Sequence, residues 1–271
     1  MFAFDLDGTL LNDSFDISKF TLGKIHQAMD KGVKVTISSA RIPTMQQVFI
    51  GLLGIRGPYI ASNGGLILNS ADKTVLNDQP IADPVLMRLC HLAIETKLHL
   101  SLQTMKNIYF TRDNPRIARL EHYNHVAQKY GYPRAPMQVL DSDYGNYDNS
   151  PTYKVLIHAP EEEKFQALAS FLDSEEDLVY TFSEANLFDI TRRGTNKGMG
   201  IEIVAGYYGI PLEEVCAFGD YDNDIPIFEK VGTTVAMGNS SKNLKAKAEF
   251  ITDFNNNDGI GKAIEKLSRF F

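Results

Sequence analysis

Residues 1–11, MFAFDLDGTLL, combine the pattern of a buried strand with two acidic side chains. The apolar run at residues 2–4, Phe-Ala-Phe, is typical of the first strand of a buried sheet. Asp5 and Asp7 follow it immediately, although carboxylates are costly to remove from water. A strand that ends in this way predicts that a positive group at the edge of the sheet compensates the two aspartates.

The composition is that of an ordinary globular protein. The chain has 271 residues, of which 44% are hydrophobic and 23% charged, and its formal net charge is −7. This length suits one large domain or two modest ones. Because the balance is acidic and the basic residues are scattered, we expect no nucleic-acid partner. No segment approaches the roughly 18 apolar residues of a bilayer span, so we expect no membrane partner and a cytoplasmic location.

The two cysteines do not indicate a special site. Cys90 lies in a helical pattern, and Cys216 lies in the apolar run VCAF. Two such residues are too few for a disulfide framework or a metal–thiolate cluster. We expect both to be buried and reduced.

The two ends of the chain alternate between strand and helix patterns. The first end contains strands at 2–4, 33–38 and 59–62, a helix from Ser18, a short helix near Pro43 and a hairpin at 66–78. The second end contains helices at 197–209, 222–230, 241–248 and 259–271, with strands at 215–219, 233–237 and 250–252. Alternation of this kind predicts parallel strands joined by helical crossovers.

The middle of the chain has a different pattern. Two strands at 99–104 and 107–112 are joined by a connection too short for a crossover, so they must pair antiparallel. Helices at 85–98, 115–131 and 161–175, a strand at 153–159 and a hairpin at 178–193 complete this part. We therefore predict an α/β fold with a doubly wound, Rossmann-like parallel-sheet core from residues 1–82 and 191–271, and an inserted α+β domain from residues 83–190.

Four aspartates are expected at the carboxyl edge of the core sheet, where ligands bind. Asp5 and Asp7 follow the first strand, and Asp220 and Asp224 follow a later one. A single aspartate after a strand usually caps a helix or turn, so it is the combination that indicates a site. Two carboxylates about 4 Å apart repel by roughly 4 kcal/mol at an effective dielectric constant near 20. An oxygen-only ligand set favours Mg²⁺ as the cofactor, with Lys197 as a further positive charge.

Four stretches occur in a fixed order: DLDGTL at 5–10, SSAR at 38–41, Lys197 ahead of a helix, and GDYDND at 219–224. This order resembles the four motifs of the haloacid dehalogenase (HAD) superfamily. The place of the inserted domain, together with SNGG at 62–65 and VAMGNS at 235–240, resembles the Cof-type sugar-phosphate phosphatases, which carry a large α/β cap. The resemblance covers nearly the whole core, whereas the cap matches by placement and size.

The resemblance implies a role for each matching residue. Asp5 would be the nucleophile that forms an aspartyl-phosphate, and Asp7 would be the general acid and base. The metal would be held by Asp5, Asp220 and the backbone carbonyl of Asp7, with Asp224 in support. The phosphate oxygens would be bound by a set that comprises Asp5 itself, Leu6, Ser39, Ala40, Lys197 and Asn223. One cation, one lysine and short polar donors suit phosphoryl transfer.

The second motif departs from the usual Thr-Gly-Arg of the family, since this chain has Ser39-Ala40-Arg41. Serine keeps the hydroxyl donor, and alanine adds a single methyl group, so phosphate binding is expected to survive. Two further residues are left open. Arg41 fits a substrate contact or an ion pair within the core, and Asn63 fits a substrate contact or a residue that shapes a turn.

The sequence thus predicts a Mg²⁺-dependent phosphatase that hydrolyses small phosphomonoesters, in particular sugar phosphates. Its partner would be a small phosphorylated metabolite. Two alternatives remain open: a phosphotransferase or mutase of the same fold, and a regulatory module that accepts a phosphoryl group without turnover. Asp7 argues against the module, because it supplies an acid/base function. The sequence specifies neither the substrate nor the oligomeric state.

Overall fold

A computed structural model describes residues 1–267, without the side chain of Ser183. The end of the predicted last helix, residues 268–271, lies outside this range. The described strands are β1 (Phe2–Phe4), β2 (Val35–Ile37), β3 (Pro58–Ala61), β4 (Leu66–Asn69), β5 (Val75–Asp78), β6 (His99–Thr104), β7 (Ile108–Phe110), β8 (Met137–Val139), β9 (Thr152–His158), β10 (Leu178–Glu184), β11 (Leu187–Arg192), β12 (Cys216–Gly219), β13 (Thr233–Ala236) and β14 (Phe250–Ile251). The described α-helices are α1 (Lys19–Asp30), α2 (Gln47–Leu53), α3 (Asp83–Thr96), α4 (Ile117–Lys129), α5 (Glu162–Ser174), α6 (Lys197–Tyr208), α7 (Ile225–Phe228), α8 (Lys242–Lys245) and α9 (Gly259–Leu267).

The first sheet is parallel and is built from both ends of the chain. Its spatial order is β14-β13-β12-β1-β2. Strand β1 lies inside the sheet, where Phe4 pairs with Ile37 on one side and with Phe218 on the other. The predicted parallel core is therefore confirmed, and the ends of β1 and β12 meet at one edge of the sheet.

The helix predicted from Ser18 is confirmed as α1. The Ser18 hydroxyl accepts a hydrogen bond from the Thr21 amide at 3.1 Å, which caps the first turn. Helices α7 and α8 are shorter than predicted, with four residues each. Before α7, the chain forms a 3₁₀ turn at Asp222–Asp224 rather than regular helix. That turn directs the aspartates after β12 towards the sheet edge.

Strand β3 was expected to continue the parallel alternation, and this expectation is wrong in part. It pairs antiparallel with β4, and β5 completes a separate three-stranded sheet. An isolated parallel bridge between Ser38 and Ile60 connects β3 to the end of β2. The reason is local, since Ser62 and Asn63 have positive φ angles of 50° and 54° and turn the chain straight back into β4.

The inserted part forms a six-stranded sheet with the order β10-β11-β9-β6-β7-β8. Strands β6 and β7 pair antiparallel, as predicted, and so do β10 and β11. The sequence did not indicate β8, which pairs parallel with β7. Strand β11 runs to Arg192, so the proposed boundary between residues 190 and 191 falls inside a strand.

The inserted part, called the cap below, packs closely against the core. Leu120 and Tyr123 of α4 belong to the same hydrophobic cluster as Phe49 of α2. Polar contacts join the two parts as well, since Tyr153 of β9 donates to Asp78 at 2.9 Å. The cap sheet is thereby held over the carboxyl edge of the first sheet.

The two cysteines, Cys90 and Cys216, are buried and free, as expected. Within residues 1–267, none of the helices combines the length and the apolar character that a membrane span needs.

Candidate active site

A cavity of about 720 Å³ lies between the carboxyl edge of the first sheet and the cap sheet. Six of the predicted site residues line it, namely Asp5, Asp7, Ala40, Arg41, Asp220 and Asn223. The others, Leu6, Ser39, Asn63, Lys197 and Asp224, are buried beside it. The structure therefore brings the predicted core residues together at one place.

Lys197 connects two of the carboxylates at the floor of the cavity. Its Nζ donates to Asp5 Oδ1 at 2.7 Å and to Asp224 Oδ1 at 2.6 Å, and its side chain is fully buried. The position is fixed because Asn196 caps α6 through a hydrogen bond from the Met199 amide, so that Lys197 begins the helix. Burial would lower the pKa of Lys197, but the charges of Asp224 and Asp5 outweigh it and raise that pKa.

Asp5 is strongly perturbed. Burial raises its pKa to about 7, the charges of Asp224 and Asp7 add to this rise, and the charge of Lys197 opposes it. One lysine is therefore insufficient to compensate the negative charge around this carboxylate. The imbalance agrees with the compensating cation that the sequence predicted.

Asp220 completes a group of three carboxylates. One oxygen each of Asp5, Asp220 and Asp224 lie within 4.8 Å of one another. Burial raises the pKa of Asp220 well above its usual value, and the charges of Asp5 and Asp224 raise it further. Gly8 allows this approach, since a Cβ at that residue would lie 2.3 Å from Asp220 Oδ2. Three clustered carboxylate oxygens form a suitable site for a hard divalent cation such as Mg²⁺.

Asp224 also organises the loop that carries Asp220. Its Oδ2 accepts hydrogen bonds from the backbone amides of Asp220 at 3.0 Å and Tyr221 at 3.3 Å. Gly219 makes room for it, because a Cβ there would lie 2.5 Å from the same oxygen. Asp224 thus orients the neighbouring carboxylate while its other oxygen binds Lys197.

Asp7 has different partners from Asp5. Its two carboxylate oxygens accept hydrogen bonds from Arg41 Nε and Nη2, both at 2.7 Å. A third bond comes from Arg119 Nη2 of the cap at 3.2 Å. Burial would raise the pKa of Asp7, but the charges and hydrogen bonds of Arg41 and Arg119 outweigh it and hold that pKa well below its usual range.

Arg41 is held as an ion-pair partner of Asp7, which was one of its two predicted roles. Its guanidinium lies 5.0 to 5.4 Å from the ring centres of Phe15, Phe49 and Tyr123. Such cation–π contacts, together with the bidentate pair, restrict its movement. Tyr123 belongs to the cap, so the cap helps to fix a residue of the core.

The predicted phosphate-binding residues are grouped around the same floor. Ala40 and Asn223 line the cavity. The Ser39 hydroxyl is buried and accepts from the Arg41 amide at 3.2 Å. The Leu6 side chain is fully buried, so this residue would contribute through its backbone. Asn63 does not line the cavity, and its Oδ1 accepts from Asn223 Nδ2 at 3.3 Å, which favours a positioning role over substrate contact.

The cap contributes residues that sequence reasoning missed. Arg116 and Arg119 both pair with Glu184, at 3.1 Å and 2.6 Å. Ser101, Gln103 and Lys154 lie on the cap sheet and also line the cavity. Their sequence neighbourhoods are ordinary strand and helix patterns, so the one available signal was the occurrence of polar residues in otherwise apolar strands.

Comparison with known proteins identifies the family. The family model for haloacid dehalogenase-like hydrolases matches residues 2–264. The chain belongs to this family. The resemblance inferred from the four motifs is therefore confirmed, and so is the α/β fold.

Relatives of this HAD-like hydrolase are named as phosphatases. A putative phosphatase of Mycoplasma genitalium is 28% identical, over 97% of this chain and 96% of its own. A 5-amino-6-(5-phospho-D-ribitylamino)uracil phosphatase of Bacillus subtilis is also 28% identical, over 98% of this chain and 96% of its own. Among solved structures, a sugar phosphatase of HAD subclass IIB has a TM-score of 0.81 and 22% identity, with 98% of each chain covered, which shows a common fold.

Proposed function

We propose that this HAD-like hydrolase is a Mg²⁺-dependent phosphatase that hydrolyses small phosphomonoesters, in particular sugar phosphates, through an aspartyl-phosphate on Asp5. One observation supports this most directly. Asp5 shares a floor of clustered carboxylates with Asp220, it is bound by the buried Lys197, and it faces a cavity of about 720 Å³. That volume suits a small phosphorylated metabolite.

The residues present fit a magnesium ion. Carboxylate oxygens of Asp5 and Asp220 and the backbone carbonyl of Asp7 would hold it, and Asp224 would support the site through its bonds to the loop of Asp220. When bound, Mg²⁺ supplies positive charge next to the phosphate oxygens and the acidic cluster.

In the first half-reaction, a carboxylate oxygen of Asp5 forms a bond to phosphorus while the bond between phosphorus and the alcohol oxygen breaks. The alcohol leaves with a proton from Asp7. Lys197 holds Asp5 in place, and Ser39, Ala40, Asn223 and the Leu6 backbone would bind the phosphate oxygens.

In the second half-reaction, Asp7 takes a proton from a water molecule, whose oxygen attacks phosphorus and releases Asp5 and inorganic phosphate. Asp7 is held ionised by Arg41 and Arg119, which is the form that this step needs. The first step needs the protonated form. We infer that an entering phosphate competes for the guanidinium of Arg119 and so lets Asp7 take up a proton.

Two of the relatives guide the substrate proposal. One is named for a ribitylaminouracil phosphate, and one structural neighbour is a sugar phosphatase. Both kinds of substrate place a polyhydroxyl chain or ring next to the phosphate. We therefore keep sugar phosphates as the proposed class, with residues 1–82 and 191–271 as the catalytic core and residues 83–190 as the cap that selects the leaving group. A cytoplasmic location remains a prediction.

The test is phosphate release from a panel of phosphorylated metabolites in the presence of Mg²⁺. We expect steady turnover with at least one sugar or polyol phosphate. In parallel, acid-quenched protein is digested and analysed by mass spectrometry for a phosphoryl group on the Asp5 peptide, with Asp5→Asn as the control. Transfer to an added sugar with little free phosphate would establish the phosphotransferase alternative. Labelling without turnover across the panel would establish the regulatory module.

A further inference from the structure

The two faces of the cap sheet differ in chemistry. Residues that pair directly across antiparallel strands share a face. One face carries Leu100, Leu102, Val155 and Ile157, and it packs in one hydrophobic cluster with Leu168 of α5. The opposite face is turned to the cavity, so its composition decides what the cap presents to a substrate.

The cavity-facing side contains buried polar groups in the middle of the sheet. Gln103 pairs with Lys154 across β6 and β9, and Ser101 pairs with Leu156 on the same strands. All four residues line the cavity. Ser101 is 1% exposed, Gln103 7% and Lys154 4%. We call Ser101, Gln103 and Lys154 the cap-sheet subsite.

Two polar atoms of this subsite lack a protein partner. Within the described part of the chain, no group forms a hydrogen bond to Ser101 Oγ or Gln103 Oε1. A buried polar group without a partner costs about 1–3 kcal/mol, so two on one cavity wall indicate that a ligand satisfies them. A hydroxyl group suits both, because it donates and accepts hydrogen bonds as the serine hydroxyl and the glutamine amide also do.

The charges of the cavity wall argue against a second anionic group on the substrate. Lys154 donates to Asp189 at 2.7 Å, and both side chains are buried. Arg116 and Arg119 of the cap pair with Glu184. Among the described residues, each cation that lines the cavity thus has a carboxylate partner, and Arg116 and Arg119 share theirs. A second phosphate or carboxylate would have to compete with Glu184 or Asp189 for these cations.

Apolar side chains surround the polar ones on the same face. Phe110 pairs with Ser101, and Ile108 pairs with Gln103, across β6 and β7. Leu156 lies beside them on β9. A surface that alternates hydrogen-bonding and apolar groups matches a polyol or a sugar, whose hydroxyls and C–H groups also alternate.

We propose that the cap-sheet subsite binds the leaving group of the substrate and selects an uncharged polyhydroxyl group through Ser101 and Gln103, with Lys154 and Asp189 as a charge-balanced ion pair beside them. The inference rests on the proposed phosphatase function and adds the residues and the chemistry of selection. The sheet thus discriminates among phosphomonoesters by hydroxyl content and by charge.

The experiment compares three probes: D-glucitol 6-phosphate, D-glucitol 1,6-bisphosphate and n-butyl phosphate. The wild-type kcat/KM is expected to be at least about tenfold higher for glucitol 6-phosphate than for either other probe. Ser101→Ala and Gln103→Leu should each lower the ratio of glucitol 6-phosphate to butyl phosphate by about threefold to tenfold, the loss of one hydrogen bond. Thermal unfolding confirms that each variant is folded.

Matched controls come from the outer surface of the cap. Ser174→Ala and Gln166→Leu make the same chemical changes at exposed residues of α5, and their ratios should equal the wild-type ratio. A wild-type ratio near one, or an unchanged ratio in both subsite variants, would overturn the inference.

A binding measurement separates this inference from the phosphatase proposal. Calorimetric titration of the Asp5→Asn protein with glucitol 6-phosphate and butyl phosphate, with Mg²⁺ present, does not depend on turnover. The affinity ratio should favour glucitol 6-phosphate and fall by about threefold to tenfold when Gln103→Leu is added. If the wild type releases phosphate from none of the probes and from none of the metabolite panel, but this ratio behaves as expected, the phosphatase proposal fails and the subsite stands. Equal affinities for the two probes would refute the subsite.

Discussion

The core and the cap each contain a buried lysine near the cavity, and the two lysines have different surroundings. Lys197 of the core binds two carboxylates, Asp5 and Asp224, and a third carboxylate, Asp220, lies within reach of both. Lys154 of the cap binds one carboxylate, Asp189. Both lysines are at least 96% buried, so water does little to screen either arrangement.

The surroundings of the two lysines differ in net charge. The core wall has more carboxylates than cations. Burial raises the pKa of Asp5 to about 7, and the charges of Asp224 and Asp7 add to this rise. The cap pair is balanced. A wall with excess negative charge needs a cation before it can accept a phosphate, whereas the balanced Lys154–Asp189 pair favours an uncharged group beside it. Under the proposed function, the two walls would bind the two ends of one phosphomonoester.

The largest expected effect comes from Asp5→Asn. The amide cannot attack phosphorus, so kcat should fall by at least about 1,000-fold, as expected when a nucleophile is removed. Phosphate release under saturating substrate measures the loss, with Asp222→Asn as the control because that carboxylate bonds to Ser241 and Asn243 outside the acidic cluster. Activity within tenfold of wild type would contradict the assignment of the nucleophile.

Removal of Mg²⁺ tests the excess charge of the core wall. Chelation should abolish turnover, and Mg²⁺ at about 100 times its dissociation constant should stabilise the protein by about 2.7 kcal/mol. Thermal unfolding with and without the ion measures this gain. Asp220→Asn should reduce the gain strongly, because it removes one of the clustered oxygens.

The matched control for the metal experiment is Asp253→Asn. That carboxylate lies on the exposed surface, where it pairs with Lys262. The variant should retain the full stabilisation by Mg²⁺. Equal loss in Asp220→Asn and Asp253→Asn would show that the ion binds elsewhere.

In metal-free buffer, an aspartate-to-asparagine change should stabilise the protein when it is made in the core wall and destabilise it when it is made in the cap wall. Since the folded-state pKa of Asp5 is raised to about 7, the contribution of Asp5 to the free energy of unfolding falls as pH rises from about 4 to about 7. At pH 8, Asp5→Asn should therefore stabilise the protein, by at most about 4 kcal/mol. Asp189→Asn should destabilise it by about 3 kcal/mol, because it leaves Lys154 buried without its partner.

Denaturant titrations from pH 4 to pH 8 measure both effects. The difference between Asp5→Asn and wild type should grow with pH across this window. A difference that is independent of pH would show that Asp5 is already ionised at low pH in the folded protein.

A smaller effect is expected from Arg119→Met. The variant loses one of the two arginines that hold the pKa of Asp7 low, so that pKa should rise. Because the proposed first half-reaction needs protonated Asp7, the alkaline limb of the kcat/KM profile should move to higher pH, with a change of severalfold at a given pH. Arg134→Met is the control, since Arg134 pairs with Glu121 at the cap surface. An identical profile for Arg119→Met and wild type would show that Arg119 of the cap does not influence the pKa of Asp7.

The core site could be anticipated because its residues follow strands of one parallel sheet. Asp5 and Asp220 stand at the ends of β1 and β12, which are neighbours, and this adjacency is implied by the alternating pattern. The antiparallel pairing of β3 with β4 could not be anticipated in the same way. It depends on the left-handed backbone of Ser62 and Asn63; asparagine tolerates that conformation, but serine seldom adopts it.

The cap wall could not be derived from local patterns. Arg119, Lys154 and Glu184 lie on three separate elements, and their common cavity exists because α4 packs against the core. Strand β8 was not predicted for a simpler reason. It has three residues, none of them fully buried, and two prolines precede it within five positions.

The position of β1 inside the first sheet has a consequence for the growing polypeptide. On one side its partner β2 begins about thirty residues later, but on the other side β12 begins at Cys216. The cap sheet, by contrast, is formed from the contiguous stretch 99–192. During synthesis, one edge of β1 therefore lacks its partner strand until more than two hundred further residues have been added. Every strand of the cap sheet already has its neighbours by then. Asp5, the proposed nucleophile, directly follows β1, so its pocket is completed only after the whole cap sheet has been synthesised.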